Sequence, residues 1–509
     1  MVSLFLSNPT VLLLANLAIL EVKGCFRSCS WLLIVFVGWF AGRSTVCFGQ
    51  NGTNPPVSLV SSSEFEARLP SDQGTEKTAT VDRKKSSEEP VLGTAESEIE
   101  ALKKRLEALE KKNKGSEEKT KQDSNAKADK KWNVKLGGHI QMDYVTWANA
   151  DDAIPETQNY FNFRRLRLVA DGTGYDQFDF RLQMTLEPGQ ALSGALFTSP
   201  DVKDAYVSMN DIPGIGRFRI GNFFVPFSLE QVTNDTNNIF VERSIPSQGI
   251  FAADREVGMA TYNSAFDDRV TWTTGIFFDE ISDTVKTRFD DNQGYRLSGR
   301  LTWLPVFGEV FGRDALFHTG VGILHTGDFD EQVRFRARPQ VQRGPFLLDT
   351  GVLNSDTFTT GNFELASGWG AVTSQTELFV SQVNLNSGRT IHVGGAYTHL
   401  SYFLTGEHRI FEPFGQHGPQ FSRNVPARNF STKKGSEGWG ALELKARWSL
   451  LDLTEASAGQ YNDFTAGFNW YWSDRTRIMF DWIHPFTSSQ TSFGETEADL
   501  LAMRFDVNW

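Results

Sequence analysis

The sequence is poor in cysteine, and its few cysteines are confined to the N-terminus. Among 509 residues there are only three, Cys25, Cys29 and Cys47. We therefore expect no disulfide framework, no thiol nucleophile and no cysteine-bound metal in the chain after residue 49. No small-residue pattern typical of lipid attachment precedes Cys47, so we do not expect a lipid anchor either.

Long apolar runs are also missing after residue 49, where no segment approaches the roughly 20 apolar residues of a membrane-spanning helix. The two apolar runs of the chain, 10–20 and 31–42, come earlier. The second follows basic residues and precedes small ones that permit cleavage after Gly49, as in a signal peptide. We therefore predict that residues 1–49 are a signal peptide. Its unusual length leaves open whether translation starts near Val22 or the leader has two parts.

Signatures of catalysis and of nucleic-acid binding are absent as well. We find no nucleophile elbow, no P-loop and no zinc signature. His392 and His399 fall on opposite faces of one strand, and His408 and His417 lack carboxylates at ligand spacing. The formal net charge of −12 argues against general nucleic-acid binding. We therefore expect no enzyme, cofactor or metal, although a barrel enzyme with catalytic groups far apart in sequence stays an alternative.

What the sequence does have is alternation of apolar and polar residues with a period of two. In the final ten residues, LLAMRFDVNW, the apolar residues from Leu501 to Trp509 occupy every second position. This period predicts a β-strand with one apolar and one polar face. The alternation recurs in FDFRLQMTL (178–186), GALELKARWSL (440–450), TAGFNWYW (465–472) and RIMFDWI (477–483). Because one face is charged and the other apolar, the pattern alone fits either a sandwich or a barrel.

Three further features favour a membrane barrel. Such segments are numerous after residue 132, aromatic residues gather near their ends, and short turns alternate with long loops. The turn at 474–476 and the loop at 405–437 exemplify the two kinds of connection, which we expect at opposite ends of the barrel. We therefore predict that residues 132–509 form an all-β, antiparallel transmembrane barrel of about sixteen strands with an aqueous lumen. Its last strand ends on Trp509, which we expect the outer-membrane assembly machinery to recognise.

The segment between leader and barrel has a different composition. Residues 50–95 are rich in Ser, Thr, Pro and charge, and we predict a disordered linker. Within 96–113, Ile99, Leu102, Leu106 and Leu109 follow a heptad pattern, which predicts a short coiled-coil helix. A single fraying helix fits the same residues, because so short a helix is marginal alone. Residues 114–131 are predicted to be a charged spacer.

Eight segments of 132–509, taken together, resemble the phosphate-selective porin O and P family. They are NYFNFRRLRL (159–168), VKDAYVSMN (202–210), FRIGNFFVPFSLE (218–230), VERS (241–244), GYRLSGRLTWLP (294–305), SYFLTGEHRIFEPF (401–414), GWGALELKARWSLLDL (438–453) and GFNWYWSD (467–474). The resemblance implies a homotrimer of sixteen-strand barrels in the outer membrane of a Gram-negative-type bacterium, with a periplasmic N-terminal segment. It also implies passage of small inorganic, phosphate-like anions through a lumen that is lined by arginines and lysines and narrowed by an inward-folded loop.

Arginines are the natural candidates for an anion path, because their guanidinium groups replace lost hydration with bidentate, charge-assisted hydrogen bonds. Arg165 and Arg167 share one face of a predicted strand and should point into the lumen. Arg217 and Arg219 form a similar pair, while Arg243 and Arg255 flank the expected constriction loop. The full candidate set is Arg164, Arg165, Arg167, Arg217, Arg219, Arg243, Arg255, Arg334, Arg336 and Arg338, the last three as an outer ladder.

Two considerations leave the function open. Asp204, Glu242, Asp254 and Glu256 could neutralise these arginines, as in a general, non-selective porin. Phe224 stands where the family often has lysine, and a phenyl ring cannot coordinate an anion. The sequence therefore predicts a porin for small anions, with phosphate and polyphosphate as candidates, without establishing phosphate selectivity. The alternatives are a general porin or a barrel that mainly tethers the outer membrane through its coiled coil.

Overall fold

The computed structural model describes residues 132–187, 201–278, 294–327 and 332–509. The predicted signal peptide, linker, coiled-coil helix and charged spacer, residues 1–131, lie outside these ranges. Within the described ranges, no helix has both the length and the apolar character that crossing a bilayer requires.

Alternating segments form a closed antiparallel barrel, as predicted. Each strand pairs with its neighbours in the chain, and the last strand pairs with the first, for example Met142 with Phe505. The sixteen strands of the described barrel are β1 Asn133–Ala150, β2 Tyr160–Gly174, β3 Phe178–Thr185, β4 Asp201–Ile212, β5 Gly216–Phe224, β6 Arg255–Ala265, β7 Val270–Phe277, β8 Tyr295–Val310, β9 Arg313–Gly327, β10 Leu353–Trp369, β11 Val372–Leu385, β12 Thr390–Phe403, β13 Ala441–Leu453, β14 Gly459–Tyr471, β15 Thr476–Thr487 and β16 Ala498–Asn508.

The two faces of each strand show that the polar side of the barrel wall is the inside and the apolar side is the outside. In β16, Arg504 and Asp506 point inward and are each 1% exposed, whereas Met503 points outward and is 47% exposed. A soluble sandwich buries its apolar face and exposes its charges. Here the charges are enclosed and the apolar side chains face out, as a strand between lipid and lumen requires.

The connections distinguish the two ends of the barrel. We call the end of the barrel at which the last strand, β16, reaches Trp509 the turn end, and the opposite end the loop end. The turn end carries the short connection between β14 and β15, which contains 474–476. It also carries the long connection between β12 and β13, 404–440, because two antiparallel strands separate the two connections. The expectation that 405–437 lies opposite the short turn was therefore wrong.

Of the long connections that fold into the barrel, two enter from opposite ends and meet inside it. The central loop, 225–254, joins β5 to β6 and contains the short helix α1, Leu229–Val232. The turn-end loop, 404–440, contains a hairpin of two strands, Phe411–Gly415 and Gly418–Phe421. Outside these loops, a 3₁₀ turn, Thr454–Ala456, follows β13. At the loop end, residues 332–352 carry the two-residue strands Gln332–Val333, Arg336–Ala337 and Leu348–Asp349.

The apolar core of the barrel consists largely of the central loop packed on the inner wall. Phe227, Val241 and Phe251 of the loop are at most 2% exposed and belong to one cluster with wall residues such as Phe379. Gly395 on β12 permits this close approach, since a Cβ there would lie 2.8 Å from a carbon of Pro246. The lumen is thus partly filled by the central loop.

The turn-end loop meets the central loop inside the barrel. The Phe421 amide donates to Thr233 Oγ1 at 3.4 Å, and the Asn237 side-chain amide donates to the Phe421 carbonyl at 3.3 Å. Arg423 donates to Thr236 Oγ1 at 3.3 Å. The two loops therefore obstruct the lumen jointly, and a solute that crosses it must pass both.

Candidate ion path

Carboxylates of the barrel wall hold the central loop in place. Glu377 on β11 accepts the backbone amides of Leu229 and Glu230 at 3.1 and 2.8 Å, at the start of α1. Asp481 on β15 accepts the Val241 amide at 2.8 Å and pairs with Lys445 at 2.6 Å. These bonds satisfy amide groups of α1 and the loop that would otherwise be buried without a partner. The wall thereby determines where the lumen is narrowest.

A β-bulge brings consecutive arginines of β2 to the inside. The register of β1 and β2 shifts between Gln141 and Met142, so Arg164 is skipped in the pairing while Arg165 pairs with Gln141. Arg164 consequently reaches Glu242 of the central loop, although strict alternation would direct it outward. Arg167, two residues further, is 5% exposed on the inward face with Arg165.

Arg165 and Arg167 meet a third arginine around one carboxylate. Asp235 of the central loop lies 3.1 Å from Arg165 Nε, 2.9 Å from Arg167 Nη1 and 2.7 Å from Arg243 Nη1. Burial alone would raise the pKa of Asp235, but the arginines, Arg165 first, hold it well below its usual range. Three guanidinium groups around one carboxylate leave these four side chains with a net positive charge of about two.

Most of the remaining cations near the central loop are also paired. Arg504 bridges Asp143 and Glu242, with Nε 2.6 Å from Asp143 and Nη2 2.9 Å from Glu242. Arg447 lies 3.4 Å from Glu230. Neither arginine was among the candidates predicted from the sequence, although the strand alternation placed Arg447 on the polar face of β13. Their roles depend on partners more than two hundred residues away in the chain, which periodicity does not reveal.

Phe224 lies between two arginines rather than facing an open channel. Arg255 stacks over its ring at 3.8 Å, Arg243 lies 5.6 Å from its centroid, and the side chain is 1% exposed. Arg255 also pairs with Asp204 at 2.8 Å and with Asp254 at 3.2 Å. The ring fills the space where a lysine would add charge, and cation–π contacts replace ion coordination there.

Arg217 and Arg219 differ from these arginines because the described residues place no carboxylate within 4 Å of either guanidinium. Arg219 is 1% exposed, stacks 4.0 Å over the Tyr206 ring and donates to Ser208 Oγ at 3.0 Å. Arg217 donates to the Gly415 carbonyl at 3.0 Å. Both contact the turn-end loop, and neither is neutralised.

Two arginines of the turn-end loop itself, which the sequence did not single out, share this property in the described part of the chain. Arg409 is 6% exposed and stacks 3.8 Å over Phe421, while Arg423 donates to Thr236 and Asn508. Their signal in the sequence was weak, because arginines in a long irregular loop have no strand face to predict.

Arg334, Arg336 and Arg338 lie at the loop end in residues 332–352. Arg336 and Arg338 both stack on Phe346, at 4.2 and 4.1 Å, and with Arg164 they line a cavity of about 330 Å³. Arg334 also lines this cavity and pairs with Asp349, and this hydrogen bond lowers the pKa of the Asp349 carboxyl. The ten predicted arginines thus occur at three levels: the loop-end cavity, the central loop and the turn-end loop.

These features agree with the comparison to known families. A family model, Phosphate-selective porin O and P, matches residues 134–509. The chain belongs to this family. Porin O of Pseudomonas aeruginosa is 22% identical over 418 residues, which cover 74% of this chain and 89% of that protein. An uncharacterized protein of Caulobacter vibrioides is 26% identical over 362 residues, covering 68% of this chain and 67% of that one.

Solved porin structures are similar at lower identity. An anion-selective porin from Comamonas acidovorans is 14% identical, with a TM-score of 0.45, and 74% of this chain covers 99% of it. The trimer form of OmpT from Vibrio cholerae is 10% identical at the same TM-score, and 74% of this chain again covers 99% of it. By its family, the protein is an outer-membrane porin, a transport channel rather than an enzyme. In the described part of this porin, no group of three or more His, Cys, Asp or Glu side chains could hold a metal ion.

Proposed function

We propose that this porin conducts small anions along a path marked by arginines without a carboxylate partner. The observation that carries the proposal is their placement at both ends of the described lumen. Arg336 and Arg338 line the cavity at the loop end, and Arg217 and Arg219 lie at the turn end. Between them, Arg165, Arg167 and Arg243 surround Asp235 with excess positive charge.

Such a series suits conduction better than one tight site would. An anion must bind well enough to enter a narrow, partly dehydrated lumen and weakly enough to leave it. Arginines stacked on aromatic rings are less hydrated than free ammonium groups and keep their donors available to an oxyanion. Arginines already paired with carboxylates attract an anion less, so we assign Arg164 and Arg255 mainly to the support of the central loop.

The anion need not be phosphate. Relatives include Porin O, and the family model is described as phosphate-selective. In this chain, however, Phe224 occupies the centre with Arg255 stacked on its ring. We therefore propose a channel for small anions in general, through which phosphate-like ions pass among others.

We further propose a homotrimer in the outer membrane, inserted by the assembly machinery through β16. The trimer form of the OmpT structure is consistent with this assembly. Barrels of this kind have short periplasmic turns, so we assign the turn end to the periplasm. The segment 50–131, which follows the proposed signal peptide, would then also be periplasmic.

Single-channel recording of the refolded protein tests this proposal. We expect steady ohmic conductance and, in a KCl gradient, a reversal potential of the sign that anion selectivity requires. Replacing both Arg336 and Arg338 by Gln should reduce the anion-to-cation permeability ratio several-fold. The matched control is Arg475→Gln at the turn end, because this exposed arginine lies far along the chain from the loop-end cavity and, among the described residues, pairs with its neighbour Asp474.

Three other results are possible. A cation-selective channel would contradict the proposal. A weakly selective channel that ignores both arginine substitutions would make the protein a general porin. Absence of any channel in a correctly folded barrel would favour the tethering alternative.

A further inference from the structure

Two arginines of the barrel wall donate to backbone carbonyls at the tip of the turn-end loop. Arg217 Nη1 donates to the Gly415 carbonyl at 3.0 Å and to the Gln416 carbonyl at 3.3 Å. Arg300 donates through both terminal nitrogens to the Pro419 carbonyl at 3.2 Å. Arg300 is otherwise held by Glu364 in a bidentate pair at 2.8 Å. Among the described residues Arg217 has no such carboxylate: besides the loop carbonyls, its Nε donates to the neutral Oδ1 of Asn210 at 2.9 Å.

Arg219 lies directly beside this contact. Its Nη1 is 3.3 Å from His417 Nδ1 of the loop tip, and its guanidinium stacks over Tyr206 at 4.0 Å. Arginine can only donate, so His417 accepts through Nδ1 and its ring is neutral. Burial, followed by Arg219, lowers the pKa of His417 well below its usual value, in agreement with a neutral ring. Arg219 is therefore a buried cation whose direct contacts, the Tyr206 ring, Ser208 and His417, are neutral.

A cavity of about 300 Å³ opens beside these two arginines. Besides Arg217 and Arg219, its lining includes Lys135, Tyr206 and the loop-tip residue Gln416. Two carboxylates also line it: Asp171 pairs with Arg181 at 3.1 Å, and Asp179 accepts a hydrogen bond from Asn210 at 2.7 Å. The cavity is large enough for a tetrahedral oxyanion, and its charges leave an excess of cations.

We infer that Arg217 and Arg219 form a binding site for tetrahedral oxyanions such as phosphate or sulfate, and that the tip of the turn-end loop competes for it. An oxyanion offers two charged oxygens to the two donors of a guanidinium fork, whereas the loop offers only neutral carbonyls, both of them to Nη1. An entering oxyanion therefore displaces the Gly415 and Gln416 carbonyls from Arg217. Occupation of the site and attachment of the loop tip exclude each other, so the transported ion itself loosens the obstruction.

The site selects by shape as well as by charge. Chloride is a single atom and cannot place a separate charged oxygen on each donor of a guanidinium fork, so it gains less by replacing a carbonyl. Oxyanions should consequently release the loop tip at concentrations where chloride does not. The inference rests on the proposed anion path, because it concerns the exit of that path.

Labelling of the loop tip tests the competition. In the full chain, Cys25, Cys29 and Cys47 are replaced by Ser, and Gln420→Cys supplies the only thiol. Gln420 is 5% exposed and its amide bonds to Glu412 within the loop, so the substitution leaves the arginines untouched. The rate of reaction with a membrane-impermeant thiol reagent is measured in chloride and in inorganic phosphate at equal ionic strength. We expect phosphate to raise the rate several-fold.

Two further variants show whether the arginines are responsible. With Arg217→Lys, which keeps the charge but removes the fork, the acceleration by phosphate should disappear. Arg475→Gln should leave it intact. A rate that is equal in phosphate and chloride in the parent background overturns the inference, as does an acceleration that persists unchanged with Arg217→Lys.

Wild-type recordings separate this inference from the proposed function. If the channel is anion-selective but phosphate neither changes the labelling rate nor blocks chloride current from the turn end, only the present inference fails. If the channel lacks anion selectivity, the proposed function fails. The labelling result then still decides whether the site binds phosphate.

Discussion

The two loops that meet inside the barrel are held by opposite means. The central loop is held by complementary charges: Asp235 and Glu242 of the loop meet arginines of β2 and β16, and Glu377 of the wall accepts its amides. The turn-end loop is held by arginines that donate to neutral carbonyls or stack on aromatic rings. Both loops narrow the same lumen, yet only the first neutralises the cations that it touches.

This difference suggests that the central loop is a fixed part of the structure, whereas the turn-end loop can be displaced during transport. A buried ion pair is costly to break, because removing one partner leaves the other uncompensated in a low dielectric. Such pairs suit an element that must not move. A guanidinium bound only to neutral oxygens can exchange them for an anion with little loss, which suits an element that a passing ion must displace. We therefore expect anions to bind in the lumen where arginines lack a carboxylate partner and positive charge is in excess.

The largest expected effect concerns the ion pairs that hold the central loop. Arg504→Ala leaves Asp143 and Glu242 without their shared cation and should lower the free energy of unfolding by about 3–5 kcal/mol. The measurement is urea unfolding of the barrel in detergent or lipid. Arg409→Ala removes a buried cation with no carboxylate partner within 4 Å, so its loss should be clearly smaller. Equal losses would contradict the comparison.

A smaller effect is expected at Asp235, the anion built into the protein. Asp235→Asn leaves Arg165, Arg167 and Arg243 around a neutral amide and so weakens the attachment of the central loop. In the variant that still folds, a passing anion no longer competes with a carboxylate. Phosphate should then block chloride current about tenfold more tightly, which corresponds to about 1.4 kcal/mol. Asn237→Asp, which instead adds a carboxylate where the two loops meet, should weaken the block. Unchanged block in both variants would show that charge at this level does not govern permeation.

Shortening the turn-end loop should increase the single-channel conductance. Replacing residues 408–437 by a short turn removes the hairpin and the contacts of Arg423 and Phe421 with the central loop. Conductance should rise several-fold while the heat-modifiable barrel persists, since the central loop retains its own ion pairs. Single-channel recording and gel mobility measure both properties. Loss of the folded barrel would mean that the turn-end loop is structural after all.

The smallest expected effect is that of mild acid on the central loop. A carboxyl whose pKa is lowered by folding contributes stability above its unfolded pKa, near 4, and loses it only as pH falls toward the folded value. The pKa of Asp235 is held well below the usual range. Its contribution should therefore persist unchanged between pH 7 and about pH 5, as followed by urea midpoints. A decline within that window that Asp235→Asn abolishes would refute the assignment.

Much of the fold could be predicted from local pattern. Alternation such as that of Leu501, Met503 and Phe505 indicates strands, and the closed barrel of sixteen strands confirms the prediction. Even the placement of 404–440 was accessible, because counting strands fixes the end at which each connection lies. Comparing loop lengths alone led to the wrong end, since this barrel has a long connection among its short turns.

The candidate site was accessible only in part. Period two places Arg165 and Arg167 on one face, but the bulge that turns Arg164 toward Glu242 has no signature in the alternation. Whether each arginine lines the ion path or supports a loop stays a prediction, which single-channel recording of the variants tests.

Chain periodicity alone determines that this protein is a strand-built barrel with charges on one face, because neighbouring residues decide which side of a strand is polar. Which arginines are neutralised is decided only by the folded structure. Asp235 reaches Arg165 and Arg167 from the central loop, while Arg217 meets carbonyls nearly two hundred residues away. Charge compensation depends on distances between segments remote in sequence, and those distances exist only once the barrel has closed around both loops.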